Sequence, residues 1–291
     1  MPNKLTYSKG VLGLLFAIAL LAAGCGQNVF KGLTNVETES TVAQSDAVIS
    51  NPSSTSAEKQ TAYQNKGVAL LVENGVSVGK ILTKVALLNS DDGVTRNSFQ
   101  QMNEILPLTP TAARECADAL NSADALGSNG TPTPTIGVES VTLAPSANNN
   151  VQFTRGVANI TVVIKMVSLV MTIESDGTPT LNRDISPDWA TAITYLCSSS
   201  RGIYYYAANA KDAFIKSKAL TSSQLTIVNK VAKAGEQMKA LYTAYTNHTT
   251  FALVDINGTT VYTSTAFTSS SSANEVLLQD CITRIFKLTS Q

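Results

Sequence analysis

Apolar side chains recur every three or four residues along several stretches of this chain, and each stretch opens on a helix-starting signal. Leu225, Val228, Val231, Gly235, Met238, Leu241, Tyr242 and Tyr245 fall on one stripe behind Thr221 and Gln224, a capping-box pair. Leu278, Cys281, Ile282, Ile285 and Phe286 repeat that period, with Ser272 and Glu275 as the pair that starts their helix. Thr109-Pro110 predicts a helix running toward Leu126, ended by Gly127 and Gly130. Ser186-Pro187-Asp188-Trp189 combines an N-cap, a first-turn proline and an early acid ahead of Ala190, Ile193, Tyr195 and Leu196. Thr55 and Glu58 cap a further helix through Ala62, Tyr63, Val68, Ala69, Leu70 and Leu71. Asn74-Gly75 interrupts that helix, and residues 77–88 predict a second one.

Two regions carry other signals. Residues 160–173 are nearly all Val, Ile, Leu and Met around Lys165, and β-branching favours a buried strand. Ile160, Val163, Val167 and Val170 nevertheless share one helical face, and fourteen residues is long for a strand, so helix is preferred. Residues 251–254 and 260–262 flank Asn257-Gly258, a strong tight-turn signal for a hairpin. The expected fold is mainly α, a multi-helix bundle or short irregular solenoid with a small β-hairpin near 251–263. The stiff Gly-Thr-Pro-Thr-Pro-Thr run at 130–135 marks the best internal boundary. It separates helical regions 55–129 and 130–291, expected to pack together as one domain.

The first residues follow a different rule. Lys4 and Lys9 precede an almost unbroken apolar run, Val11 to Ala23, which ends in small residues before Cys25. That is the layout of a secretory signal peptide, and the run is short for a membrane span. Leu21-Ala22-Ala23-Gly24-Cys25 resembles the lipobox of bacterial lipoproteins, with Ala22 where that family usually has leucine. The resemblance implies removal of residues 1–24 and diacylation of the Cys25 sulfur. It further implies passage to the outer membrane, because Gly26 replaces the aspartate that usually retains such chains at the inner one. Residues 25–54 lack a sustained apolar period and read as a flexible tether ending at Asn51-Pro52-Ser53-Ser54.

Removing residues 1–24 takes away two lysines and no acids, leaving 19 basic and 21 acidic side chains on 267 of the 291 residues. Charged residues make up only 14% of the sequence, so the basic stripe of a nucleic-acid binder is absent. Three further cysteines, Cys116, Cys197 and Cys281, are spaced too widely for a compact metal or redox motif. Cys197 and Cys281 are the favoured pair for one disulfide; three unpaired buried thiols are the equal alternative.

The first predicted helical pair resembles a single tetratricopeptide-like repeat over residues 60–93. Gly67 would stand at the family's first-helix glycine, Tyr63 at an aromatic position, Gly79 at the small residue and Ala86 at the second-helix alanine. Lys66, Thr83 and Asp91 depart from the usual leucine, aromatic and proline. The resemblance implies antiparallel helices and a surface for peptides or proteins.

Catalytic signals are sparse. The single histidine, His248, follows a predicted helix and reads as solvent-facing. No Gly-x-Ser-x-Gly elbow, phosphate loop or dinucleotide glycine pattern occurs. Glu115 and Asp118 share a helix face and read as solvated, Asp91-Asp92-Gly93 reads as a turn, and Asp255-x-Asn257-Gly258 is too short for a calcium loop. Consecutive Tyr204, Tyr205 and Tyr206 cannot share one helix side, since each step turns about 100°. With Tyr195, Phe214, Tyr242 and Tyr245 they either fill core and boundary positions or line a groove.

The expected protein is an outer-membrane-anchored lipoprotein that holds a protein partner or supports envelope structure. It would need no metal and no cofactor beyond the covalent lipid on Cys25, and would bind no nucleic acid. A solute- or lipid-binding lipoprotein with an apolar interhelical pocket is the alternative, and a hydrolytic envelope enzyme a distant third.

Overall fold

A computed structural model describes residues 41–76, 103, 106, 108–126, 149–174 and 178–290. The described chain is mainly helical, with two small antiparallel two-stranded sheets. The helices are α1 (Val42–Ser50), α2 (Ser56–Glu73), α3 (Pro110–Asp124), α4 (Asn149–Val170), α5 (Trp189–Cys197), α6 (Ile203–Ser217), α7 (Ser222–Thr246) and α8 (Ser271–Ser290). Strands β1 (Met171–Ile173) and β2 (Pro179–Leu181) follow α4, and β3 (Ala252–Val254) and β4 (Thr260–Thr263) lie between α7 and α8. The expected signal segment, Cys25, the second helix at 77–88 and the run at 130–135 lie outside the described residues.

Caps account for the helix starts. Thr55 and Thr221 each accept from the backbone N–H three residues on, and Glu58 and Gln224 return the bond. Thr109 caps α3 with Pro110 in its first turn. α5 starts two residues later than the sequence pattern implies: its N-cap is Asp188, whose carboxylate accepts from the Thr191 N–H at 2.6 Å, and Ser186 is buried instead. The last part of the expected tether is also corrected. Thr41 and Gln44 form a capping box, and α1 packs on α2 with Asp46 paired to Lys66 at 2.6 Å.

α4 is the centre. Its buried positions lie all round the helix, from Phe153 and Ala158 to Val162, Met166 and Val170, as expected of a helix walled in by neighbours. It is long and apolar enough to cross a membrane, yet most of it is covered by the protein itself. The ambiguous stretch 160–173 divides at its end: helix continues to Val170, and Met171 to Ile173 pairs with β2 in the register Met171 to Leu181. Asn182 holds that junction, donating its backbone N–H to Val170 O and its side-chain amide to Leu169 O.

One hydrophobic cluster joins α2, α3 and α4 to α5, α6, α7 and α8 through Leu71, Leu120, Met166, Ile193, Tyr206, Leu241 and Ile282. A second, around Phe153, Ile164, Phe214 and Val228, fills the space between α4, α6 and α7. α2 crosses α3 where Gly67 faces Leu120; a β-carbon on Gly67 would stand 2.5 Å from Leu120 Cγ. The hairpin signal is met by β3 and β4, with an irregular register after Leu253 and Gly258 at φ +86° in the turn.

Candidate functional site

The tyrosines expected to share a groove divide among four places. Tyr205 and Tyr206 are buried and meet edge to face, with ring centres 5.2 Å apart. Tyr206 donates its hydroxyl to Asp118, which also pairs with Arg201 at 2.8 Å, and the Arg201 guanidinium lies over the Tyr205 ring. Burial pushes both phenols up, and for Tyr206 the neighbouring Asp118 carboxylate adds to the effect. Tyr204 and Tyr242 instead flank the Lys239 ammonium, at 5.0 and 5.4 Å from their ring centres. Lys239 donates to Cys197 O at the C-terminus of α5, where a cation is favoured by the helix dipole. Tyr195 stacks near Arg114, and Tyr245 meets Phe267 edge to face. These rings therefore fasten α3, α5, α6 and α7 to one another.

Cys197 and Cys281 do not bridge. Cys116, Cys197 and Cys281 are all free thiols buried on three different helices. Burial pushes the Cys197 thiol up to about 12 in spite of Lys239, and Cys281 likewise to about 12. Cys116 is raised further by burial and donates to Gly67 O at the α2–α3 crossing. Such thiols are poor nucleophiles and metal ligands. Among the described residues, no group of three or more His, Cys, Asp or Glu is placed to hold a metal ion.

A concentration of buried charge lies away from the residues that the sequence pattern marks. Arg155, on α4, is only 1% exposed and pairs with Asp124 at the end of α3 and Asp212 on α6. Lys216, one turn after Asp212, reaches both carboxylates at 3.1 Å, and Gln152 donates to Asp124. Burial alone would raise the Asp124 carboxyl, but Arg155, Gln152 and Lys216 together outweigh it and lower its pKa. Beside this group Asn121 and Asn159 exchange two amide hydrogen bonds of 2.9 Å, and Asn159 also donates to Arg155 O. Two acids against two bases leave no net charge, and the arrangement fixes the contact of three helices. The available signals were an arginine within an apolar helix and the Asp212, Lys216 pair at i, i+4.

Glu115 is exposed while Asp118 is held by Tyr206 and Arg201, so the two do not act as a carboxylate pair. His248 is exposed just past α7, with φ at 54°. An open cleft of about 540 Å³ lies between α1 and α2, lined by residues that include Ser45, Val48, Asn51, Glu58, Thr61 and Asn65. None of the tyrosines lines it, and its walls offer amides, hydroxyls and one carboxylate beside small apolar surfaces.

The fold and these sites define a mainly helical protein whose polar clusters join helices. Comparison with protein-family models, curated proteins and solved structures gave no match to this chain.

Proposed function

We propose that this chain is a lipid-anchored protein of the bacterial outer membrane that holds a protein partner close to that membrane. The observation that carries the reading is Leu21-Ala22-Ala23-Gly24-Cys25 at the end of a basic-flanked apolar run. One acyl chain binds a membrane only marginally, whereas several make attachment stable. Anchoring confines the helical body to a thin layer and raises its effective concentration toward anything else held there.

The chemistry of the body supports binding rather than turnover. Its buried thiols are raised by burial, its buried carboxylate Asp124 is paired with cations, and Tyr206 and Tyr245 are committed to internal contacts. The α1–α2 cleft is the surface best suited to a polypeptide, because it combines amide and hydroxyl groups with exposed Val48.

Exchange of Cys25 for serine should move the chain from the membrane fraction to the soluble one, with loss of acyl label. Membrane attachment that persists without lipid would sink the anchor. A photoreactive residue at Thr61, in the cleft, should then crosslink to a protein in intact membranes, whereas one at exposed Thr243 on α7 should not. Equal yields at the two positions would remove the cleft from the proposal.

A further inference from the structure

Asparagine followed by any residue but proline and then Ser or Thr is the acceptor triplet for N-linked glycosylation of exported chains. The sequence holds it at Asn129, Asn159, Asn247 and Asn257. Asn129 lies outside the described residues, and the structure separates the other three sharply.

Asn159 is fully buried in α4, and its side-chain amide is spent on Asn121 and Arg155 O. Asn247 caps the C-terminus of α7, and the two residues after it are tied back: His248 N–H donates to Tyr245 O, and Thr249 N–H to Ala244 O at 2.9 Å. Reaching into an enzyme cleft there would require unwinding the end of a long helix. Asn257 stands at the tip of the β3–β4 hairpin, within a run of exposed residues from Ile256 to Val261. Only the backbone N–H of Asn257 is bonded, to Asp255 Oδ1 at 2.9 Å, which leaves the side-chain amide facing solvent. Thr259 likewise uses its backbone, donating to the same carboxylate oxygen at 2.8 Å.

We propose that Asn257 is the acceptor of an N-linked oligosaccharide, attached outside the cytoplasm. The inference rests on the export reading of residues 1–25. The donor class is an oligosaccharide on a polyprenyl diphosphate. Asn257 Nδ2 attacks the anomeric carbon, forming an N–C bond as the bond from that carbon to the phosphate oxygen breaks. The lipid diphosphate leaves with the electron pair, and one amide proton passes to a carboxylate of the transferase. Asp255 contributes to selection. Of the four triplets, only Asn257 has an acid two places ahead, a charge that a cationic transferase groove can hold in exchange for the two backbone bonds it makes now. Gly258, at φ +86° with open space where a β-carbon would stand, lets the tip approach another surface closely.

The test is mass spectrometry of the full chain purified from the envelope of its own cells. Digestion with chymotrypsin releases a peptide covering residues 254–262. The expected result is that this peptide carries a glycan mass on Asn257. Asn257→Gln and Thr259→Ala should each abolish it, while Asn247→Gln leaves it intact; circular dichroism of each variant reports whether the helical body is unchanged. Sugar on Asn247 in place of Asn257 would overturn the assignment. Unmodified Asn257 on a chain whose Cys25 carries lipid would overturn the glycan alone. Unmodified Asn257 on an unlipidated cytoplasmic chain would overturn the export reading with it.

Discussion

The carboxylate of Glu275 closes the N-terminus of a helix that begins 86 residues earlier: its Oε2 accepts from the Trp189 N–H at 2.7 Å, and its Oε1 from the Ala190 N–H at 3.1 Å. The first N–H groups of a helix have no partner within it, and a negative charge there is favoured by the dipole. Asp188 takes the Thr191 N–H, so α5 starts on two carboxylates from different parts of the chain.

Glu275→Ala should therefore lower stability by about 1–2 kcal/mol, the range of a lost helix cap. Ser272→Ala, which the sequence pattern would treat as removing a cap, should cost under about 0.5 kcal/mol, as exposed substitutions do. Urea unfolding of the two variants checks the order. A larger loss for Ser272→Ala would return Glu275 to the start of its own helix.

The crossing of α2 and α3 is set by an absent side chain. A β-carbon at Gly67 would lie 2.5 Å from Leu120 Cγ and 3.2 Å from Cys116 O, and Leu120 is itself buried. Alanine gains up to about 1 kcal/mol in helix propensity over glycine. Overpacking costs about 1–3 kcal/mol, so Gly67→Ala should destabilise on balance. In a Leu120→Ala background the same substitution should be neutral or favourable. A double-mutant cycle measures that coupling, and additive effects would place the close contact elsewhere.

What the sequence made legible was local. Helix periods and caps at Thr55, Thr109 and Thr221 were readable because each cap acts within one turn, and Asn257-Gly258 located its hairpin for the same reason. Glu275 shows the limit: three residues after a serine it fits a capping box, but its carboxylate is used across the fold. α1 resembles a tether in sequence because only Ser45 of its nine residues is fully buried, too little to leave an apolar period. The tyrosine triplet was readable as a set of contacts in several directions, though which rings met which partners depended on the packing of α3 and α7. The Arg155 cluster draws on three helices, and the one spacing that hints at it, Asp212 and Lys216 at i, i+4, lies within α6 and points to neither Arg155 nor Asp124.

The three thiols give a simple chemical check. With burial raising all of them, thiolate is scarce near neutral pH, and no bridge constrains the chain. Alkylation of the folded protein at pH 8 should leave Cys116, Cys197 and Cys281 unmodified, and alkylation after unfolding should modify all three. Reductant should not change the Tm. A Cys197–Cys281 peptide under non-reducing digestion would contradict the structure.

The Arg155 network predicts both a mutational cost and a pH dependence. Removing the guanidinium with Arg155→Met leaves Asp124 and Asp212 facing each other with only Lys216 between them, and breaking a buried pair costs about 3–5 kcal/mol. Asp124→Asn in that background should recover part of the loss by removing one buried charge. Because the folded-state pKa of Asp124 lies below its ordinary value, its ionised form contributes stability that is fully present above about pH 4. That contribution fades as pH falls through the depressed folded-state pKa. Unfolding free energies measured from pH 6 down to pH 3 should decline less steeply for Asp124→Asn than for the unaltered chain. Parallel curves would mean that Asp124 is not held ionised by Arg155 and Lys216.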